Sequence, residues 1–212
     1  MLNVNEIFFS LQGEGTRAGR PCVFVRLTGC PLRCVWCDTA YAFHEGEHRG
    51  LDAIVAEASR HPARLLCLTG GEPLVQPEAF DLVCRFLDDG WEVTVETSGH
   101  VSLAPLDRRT VAIMDIKAPG SGEQDRMDWA NLARLKPIDE VKIVLSGRED
   151  YEWARNLIRE KGLAERCTVL LSPVHGVFDP ARLAGWILED GLPVRLQLQL
   201  HKALWPDAKR GV

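Results

Sequence analysis

Three cysteines lie close together in the N-terminal part of the chain and could hold a metal centre. Cys30, Cys34 and Cys37 fall within eight residues, in a turn entered through Gly29 and Pro31. Three thiolates with this spacing can converge on one polynuclear centre, and a [4Fe–4S] cluster usually takes four cysteines. With three ligands one iron stays open, which a catalytic cluster requires. The spacing therefore predicts a [4Fe–4S] cluster in a redox-initiated enzyme.

Other uses of these cysteines explain fewer of the residues. Zinc sites normally have four ligands from two short motifs, and the chain places no second Cys or His pair to complete one. A redox dithiol of Cys34 and Cys37 is an alternative, but it leaves Cys30 unexplained. The remaining cysteines stand alone in apolar runs and are expected to be small buried hydrophobic residues: Cys22, Cys67, Cys84 and Cys167.

The elements that must position the cysteines are short apolar runs that alternate with amphipathic segments. Strands are predicted over residues 22–27, 65–68, 92–96, 111–116, 141–145, 168–171 and 194–198, with a further strand over 4–10 before them. Helical spacing of apolar residues occurs in three segments: Phe80, Val83, Cys84 and Leu87; Ala154, Leu157 and Ile158; and Leu183 with Ile187, preceded by Asp179 and Pro180. This alternation predicts an α/β fold, a partial (open) parallel β/α barrel of about six strands, as a single domain over residues 1–212.

Polar residues follow several of the predicted strands. Thr69-Gly70-Gly71-Glu72-Pro73 comes after the second strand, and its glycines let the backbone approach a ligand closely. Asp115 and Lys117 share one face of their strand, where a ligand-binding pair and a structural ion pair are equally compatible with the pattern. Because ligands of parallel sheets bind at the carboxyl ends of the strands, these groups are expected to meet the cysteines there.

The overall composition limits the classes of partner. The 212 residues carry a formal net charge of −5, which argues against a nucleic-acid partner because phosphate binding needs a basic surface. The N-terminus lacks the pattern of a secretory signal, and no segment approaches the ~20 apolar residues that span a bilayer. No membrane partner is expected, and a cytoplasmic location is predicted.

Two resemblances follow from these motifs. The C-x3-C-x2-C spacing, with Trp36 just before the last cysteine, resembles the radical S-adenosylmethionine (radical SAM) superfamily, and the motif at 69–73 looks like its glycine-rich motif. The runs Leu11-Gln12-Gly13-Glu14-Gly15, Gly19-Arg20-Pro21 and Cys37-Asp38-Thr39 are similar to the 7-carboxy-7-deazaguanine synthase family, and residues 197–202 are similar to that family's closing strand. This second resemblance covers essentially the whole chain.

The resemblance implies a lyase of 7-deazapurine (queuosine) biosynthesis. A reduced cluster would cleave S-adenosylmethionine to methionine and a 5′-deoxyadenosyl radical, which would take a hydrogen from 6-carboxy-5,6,7,8-tetrahydropterin. Ring contraction with loss of ammonia would give 7-carboxy-7-deazaguanine, with Mg²⁺ assisting. The family also implies a flavodoxin or ferredoxin as electron donor and a homodimer.

The resemblance also assigns roles to residues of this chain. The pterin would contact Leu11, Gln12, Gly13, Arg26, Thr69, His201 and Lys202, and Arg26 would grip its carboxylate. S-adenosylmethionine would contact Trp36, Cys37, Asp38, Gly71, Asp115, Ile116, Lys117, Ser172, Pro173 and Val174. Thr39 would bind Mg²⁺ with Asp38 in support. No catalytic side chain is expected beyond the cluster and the cofactor.

Two alternatives of other kinds stay open on the sequence. An activase that installs a glycyl radical on a partner protein would share the cluster and the glycine motif. A non-catalytic zinc-binding regulatory module would explain the cysteines but neither the glycine motif nor the polar residues at the strand ends.

Overall fold

One sheet of nine strands organises the part of the chain that the structure describes. The computed structural model describes residues 1–208 and 210–212. The strands are β1 (Leu2–Leu11), β2 (Pro21–Leu27), β3 (Glu47–Arg49), β4 (Leu65–Gly70), β5 (Glu92–Thr97), β6 (Val111–Asp115), β7 (Glu140–Leu145), β8 (Thr168–Pro173) and β9 (Arg195–Leu196). Their order is β3-β1-β2-β4-β5-β6-β7-β8-β9, so β3 and β9 are the two edges of an open sheet.

The direction of the strands agrees with the predicted partial barrel. Each neighbouring pair from β2 to β9 is parallel, whereas β1 runs antiparallel to both β2 and β3. Six of the predicted parallel strands are confirmed, with ends that differ by at most two residues. The prediction was wrong at the C-terminal end. The strand expected over 194–198 is only Arg195–Leu196, and the closing strand expected over 197–202 is instead an irregular segment followed by a short helix, Leu200–Leu204.

All helices except the last, which lies at the cavity, pack against one face of the sheet. They are α1 (Leu51–Ala58), α2 (Glu78–Asp88), α3 (Arg148–Lys161), α4 (Leu163–Arg166), α5 (Pro180–Glu189) and α6 (Leu200–Leu204). Of these, α5 starts as predicted, because the Asp179 carboxylate accepts a hydrogen bond from the Ala181 N–H (2.9 Å) and Pro180 needs no partner for its nitrogen. In the described chain the connection from β5 to β6 contains no helix.

The apolar face of α2 differs from the predicted one. Its buried residues are Ala79, Leu82, Val83 and Phe86, whereas Cys84 is only partly buried. Both sets have helical spacing, and Phe80 and Leu87 pack at the margin of the same core. The apolar stripe is wide enough that spacing alone does not locate its centre.

Side chains of the parallel strands alternate between two environments. Val25, Leu68 and Ile143 point toward the helices and belong to the main hydrophobic core. Their sequence neighbours on the opposite face, Arg26, Thr69 and Lys142 among them, line a cavity. This period of two places apolar residues outside the curved sheet and polar residues inside it. No helix in the described part of the chain is long and apolar enough to cross a membrane.

Candidate active site

The inner face of the sheet opens into a cavity of about 720 Å³. Every residue predicted to bind the cluster, Mg²⁺, S-adenosylmethionine or the pterin lines this cavity, with one exception. The exception is Ile116, whose side chain is fully buried in the main core and whose N–H donates to the Lys142 carbonyl (2.8 Å). Since side chains alternate along the strand, Ile116 faces away from the cavity that Asp115 and Lys117 line.

The three clustered cysteines form one half-buried turn at the rim of the cavity. Cys30, Cys34 and Cys37 are all free thiols that line it, and the Cys37 N–H donates to the Cys34 carbonyl (3.2 Å). Burial raises the pKa of Cys30 and of Cys34, so both thiols need a nearby positive charge to ionise. The iron of a cluster supplies such a charge, and these thiols therefore fit the predicted [4Fe–4S] group.

A single metal ion fits this turn less well than a cluster. Among the described residues no three His, Cys, Asp or Glu side chains are grouped so as to hold one ion. A cluster presents a separate iron to each thiolate, and therefore does not need the three sulfurs to meet at one point.

The glycine motif packs directly against the cysteine turn. A Cβ at Gly70, whose φ is +156°, would collide with the Leu27 carbonyl oxygen, and one at Gly71 would meet the Gly29 carbonyl and the Cys30 side chain. The Glu72 N–H donates to the Gly29 carbonyl (2.8 Å). A side chain at position 71 would push the cysteine turn away from the sheet, and one at position 70 would push the end of β2 away from β4.

Glu72 has a structural role that the sequence did not suggest. Its carboxylate is fully buried and accepts hydrogen bonds from the Ser98 N–H and hydroxyl (both 2.6 Å), the Thr97 hydroxyl (2.9 Å) and the Leu74 N–H (3.1 Å). These bonds tie the end of β4 to the end of β5, and they use the carboxylate within the protein.

The predicted pair on β6 is a close ion pair with one atom unused. Lys117 Nζ lies 2.9 Å from Asp115 Oδ2. Burial would lower the pKa of Lys117, but Asp115 outweighs it and the net shift is upward. Asp115 Oδ1 is buried and has no hydrogen-bond partner among the described residues, so it can accept a bond from a ligand in the cavity.

A second ion pair crosses the floor of the cavity. Lys142 Nζ on β7 lies 2.7 Å from Glu14 Oε2 in the loop after β1, and Gln197 and Gln199 each donate to the same carboxylate (2.9 Å). Burial would raise the pKa of Glu14, but Lys142 outweighs it and the pKa is lowered. Lys142 was not predicted as a site residue from the sequence, although its inward position in β7 follows from the period of two.

The loop after β1 is further anchored near the start of the parallel strands. The buried Glu140 carboxylate accepts from the Thr16 N–H (3.1 Å) and from Arg17 Nη1 (3.0 Å). The Gly15 N–H donates to Gln197 Oε1 (2.6 Å). Buried Gln12 accepts from the Glu14 N–H (3.1 Å), while its Nε2 is buried without a partner among the described residues. This donor can therefore serve a ligand.

Arg26 is held on one side and open on the other. Its Nε donates to Glu6 Oε1 (2.7 Å), and its Cζ lies 5.7 Å from the Phe8 ring centre and 5.8 Å from that of Tyr41. The Tyr41 hydroxyl donates to the same Glu6 oxygen (2.9 Å). Burial raises the pKa of Tyr41 to about 12, so the phenol stays protonated. The structure thus keeps a guanidinium at the cavity wall.

The remaining predicted residues lie on two sides of the cavity. Asp38 accepts from Lys202 Nζ (2.7 Å), and the Thr39 hydroxyl donates to its other oxygen (3.2 Å). Partial burial would raise the pKa of Asp38, but Lys202 outweighs it and the pKa falls below its ordinary value. Thr39 and Asp38 offer the few oxygen ligands that a largely hydrated Mg²⁺ needs.

Two residues predicted to contact the pterin lie elsewhere on the cavity wall. His201 packs against Gly13, and the Thr69 hydroxyl donates to Glu96 (2.9 Å).

Comparison with known proteins gives relatives along the whole chain. Residues 24–115 match the radical SAM superfamily model. The chain is 43% identical over 226 residues to the 7-carboxy-7-deazaguanine synthase of Koribacter versatilis (strain Ellin345), covering 100% of both chains. It is 44% identical to the synthase of the same name from Chlorobaculum tepidum, covering 100% of this chain and 97% of the relative.

Two solved structures share the fold of this chain. QueE from Escherichia coli has a TM-score of 0.73 at 24% identity and covers 94% of each chain. SuiB of Streptococcus suis, solved with S-adenosylmethionine bound, has a TM-score of 0.55 at 12% identity, over 85% of this chain and 48% of its own. Both agree with the open, largely parallel sheet described above.

Proposed function

The chain belongs to the 7-carboxy-7-deazaguanine synthase family, and we propose on that basis that it converts 6-carboxy-5,6,7,8-tetrahydropterin to 7-carboxy-7-deazaguanine with loss of ammonia. This is a step of queuosine biosynthesis. As radical SAM enzymes, members of the family use a [4Fe–4S] cluster and S-adenosylmethionine. When bound and reduced, the cluster supplies the electron that cleaves this cofactor, and the cleaved cofactor abstracts a hydrogen from the substrate.

One observation carries the proposal to this chain. The three free cysteines open onto the same cavity as Arg26 and as two buried atoms, Gln12 Nε2 and Asp115 Oδ1, that have no partner among the described residues. A cavity that combines thiol ligands, a guanidinium and unused buried hydrogen-bonding atoms suits a polar, carboxylated small molecule beside a metal cluster.

The cofactor would lie between the cysteine turn and the ends of β6 and β8. Asp115 Oδ1 would accept a hydrogen bond from it, and Gly71 would leave room for it beside Cys30. The other proposed contacts are Trp36, Cys37, Asp38, Lys117, Ser172, Pro173, Val174 and, through its backbone only, Ile116. Thr39 would bind Mg²⁺ next to Asp38, whose carboxylate is held in place by Lys202.

The pterin would lie over the loop after β1. Leu11, Gln12 and Gly13 would contact its polar edge, with Gln12 Nε2 as a donor to a ring acceptor. Arg26 would bind its carboxylate, and Thr69, His201 and Lys202 would complete the walls. Because Glu14 and Glu140 anchor this loop, the binding surface is formed before the substrate arrives.

The proposal extends to the electron donor, the cellular location and the assembly of the protein. A small reductant, a flavodoxin or a ferredoxin, would deliver the electron. The free cysteines suit a reducing compartment, and we place the enzyme in the cytoplasm as a homodimer. We treat residues 1–212 as one functional domain, since one sheet runs from β1 to β9.

Turnover by the reconstituted enzyme tests the proposal. The protein would be loaded anaerobically with iron and sulfide and mixed with S-adenosylmethionine, Mg²⁺, dithionite and 6-carboxytetrahydropterin. Appearance of 7-carboxy-7-deazaguanine is expected, and its absence with Cys34→Ala would link it to the cluster. If 5′-deoxyadenosine formed without a deazapurine, the substrate assignment would be wrong, and a glycyl-radical activase would become the better hypothesis. No cleavage from a fully loaded cluster would refute the proposal.

A further inference from the structure

We propose that Glu6 and Tyr41 are positioning residues that aim Arg26 at the carboxylate of the substrate and so set the enzyme's preference for a carboxylated pterin. This inference rests on the proposed function. It adds two residues to the site that neither the sequence motifs nor the relatives assign. The role is carried by the geometry around the Arg26 guanidinium.

An irregularity in β1 brings Glu6 to Arg26. Val4 pairs with Leu27, and Glu6 pairs with Arg26. One step along β2 therefore corresponds to two residues of β1, and the extra residue, Asn5, forms a β-bulge. Without the bulge Asn5 would lie opposite Arg26 and the Glu6 side chain would be out of register. Bulges of this kind redirect a side chain, and they are frequent beside active sites.

The bond to Glu6 determines which Arg26 atoms face a ligand. Glu6 accepts from Nε (2.7 Å), and no hydrogen bond from Nη1 or Nη2 is made to any residue that the structure describes. The two terminal nitrogens are the pair that binds a carboxylate end-on with two parallel hydrogen bonds. An arginine fixed at Nε therefore presents its bidentate edge in one orientation.

Tyr41 completes the clamp from the other side. Its hydroxyl donates to the Glu6 oxygen that also accepts from Arg26 (2.9 Å), and its ring faces the guanidinium of Arg26 as the Phe8 ring does. The Glu6 carboxylate is thus held by two donors, and the guanidinium lies over two aromatic rings. Only 13% of the Arg26 side chain and 17% of the Glu6 side chain are exposed, so solvent competes little with these contacts.

A comparison of two ligands tests the inference. Binding of 6-carboxytetrahydropterin and of tetrahydropterin, which lacks the carboxylate, would be measured by calorimetry on cluster-loaded enzyme saturated with S-adenosylmethionine, without reductant. We expect Glu6→Ala to weaken binding of the carboxylated ligand by about tenfold or more, the scale of one charge-assisted hydrogen bond, and to leave tetrahydropterin unaffected. Glu6→Gln keeps an acceptor for Nε and should restore most of the preference. Tyr41→Phe keeps the ring and should lose less than Glu6→Ala.

The controls separate this inference from the proposed function. Glu57→Ala removes the carboxylate of another arginine pair, Arg49–Glu57, away from the cavity, and should change neither affinity. If wild-type enzyme prefers the carboxylated ligand and Glu6→Ala and Tyr41→Phe retain the full preference, the positioning role is refuted while the proposed function stands. If wild-type enzyme shows no preference, both are overturned. An equal loss of affinity for the two ligands in Glu6→Ala would indicate general damage to the cavity and would also refute the role.

Discussion

Lys142 and Glu14 form an ion pair of 2.7 Å that joins two segments 128 residues apart. Lys142 Nζ also lies 3.9 Å from Asp115, which is paired with Lys117. One ammonium group therefore stands between the loop proposed to hold the pterin and the strand proposed to hold the cofactor. Burial would lower the pKa of Lys142, but Glu14 and Asp115 outweigh it, so the lysine stays charged.

Removing Lys142 should destabilise the protein more than removing the whole pair. In Lys142→Met the buried Glu14 carboxylate loses its counter-charge, and we expect unfolding free energy to fall by about 3–5 kcal/mol. The double variant Glu14→Leu/Lys142→Met should recover part of this loss, because no unpaired charge stays buried. Urea unfolding of the three proteins, wild type, Lys142→Met and the double variant, gives the comparison. Equal stability of the single variant and wild type would show that Glu14 is satisfied by Gln197 and Gln199 alone.

Replacing Cys34 should remove the cluster, whereas replacing Cys84 should not. Cys34 lines the cavity, and Cys84 lies on α2 away from it. After anaerobic reconstitution, Cys34→Ala is expected to lack the brown absorbance and most of the iron of wild-type protein. Cys84→Ala should keep both. A fully loaded Cys34→Ala protein would contradict the ligand assignment.

Replacing the buried Glu72 should lower the free energy of unfolding much more than replacing an exposed glutamate. Glu72→Ala would leave the Ser98 N–H and the Thr97 hydroxyl unsatisfied in the interior, and a loss of about 3 kcal/mol or more is expected in chemical denaturation. Glu78→Ala is the matched control, since that glutamate is exposed on α2 and should change stability by about 0.5 kcal/mol or less. Similar values for the two variants would argue against the structural role of Glu72.

Lowering the pH should reduce the stability of the folded protein through protonation of His201. Burial lowers the pKa of His201 below 6.5, so the folded state favours the neutral ring. The stability gained from keeping the His201 ring neutral is therefore fully present above the pKa that His201 has in the unfolded chain. It is lost as the pH falls through the lower pKa of His201 in the folded protein. Between pH 7.5 and 5.5, wild-type protein without its cluster should therefore lose more thermal stability than His201→Gln. Parallel pH profiles would mean that His201 is solvated in the folded protein.

The metal centre could be predicted from the sequence because its three ligands lie close together in the chain. Cys30, Cys34 and Cys37 lie in one turn, and the strand that precedes them has a clear apolar pattern. The glycine motif was predictable for the same reason. The structure adds why those glycines are needed, since the end of β2 fills the space at Gly70 and the cysteine turn fills the space at Gly71.

The parts that could not be predicted depend on residues far apart in the chain. Nothing near Lys142 in sequence identifies Glu14 as its partner, and nothing near Glu6 indicates that a bulge aligns it with Arg26. The C-terminal segment was misassigned because alternating Gln and Leu is typical of a strand. In the structure Gln197 and Gln199 turn inward to hydrogen-bond Glu14, and pairing with β8 ends at Leu196.

The long sequence separations of these contacts have a consequence for the order of folding. The cysteine turn bonds to residues no more distant than Glu123, whose carboxylate accepts from the Arg33 N–H (2.6 Å). The loop after β1 instead needs Gln197, 182 residues beyond its partner Gly15. Closing so long a loop costs the most chain entropy and comes late. During synthesis on the ribosome, the cluster-binding turn can therefore form before residue 197 is made, and the substrate loop is completed only after Gln197 has emerged.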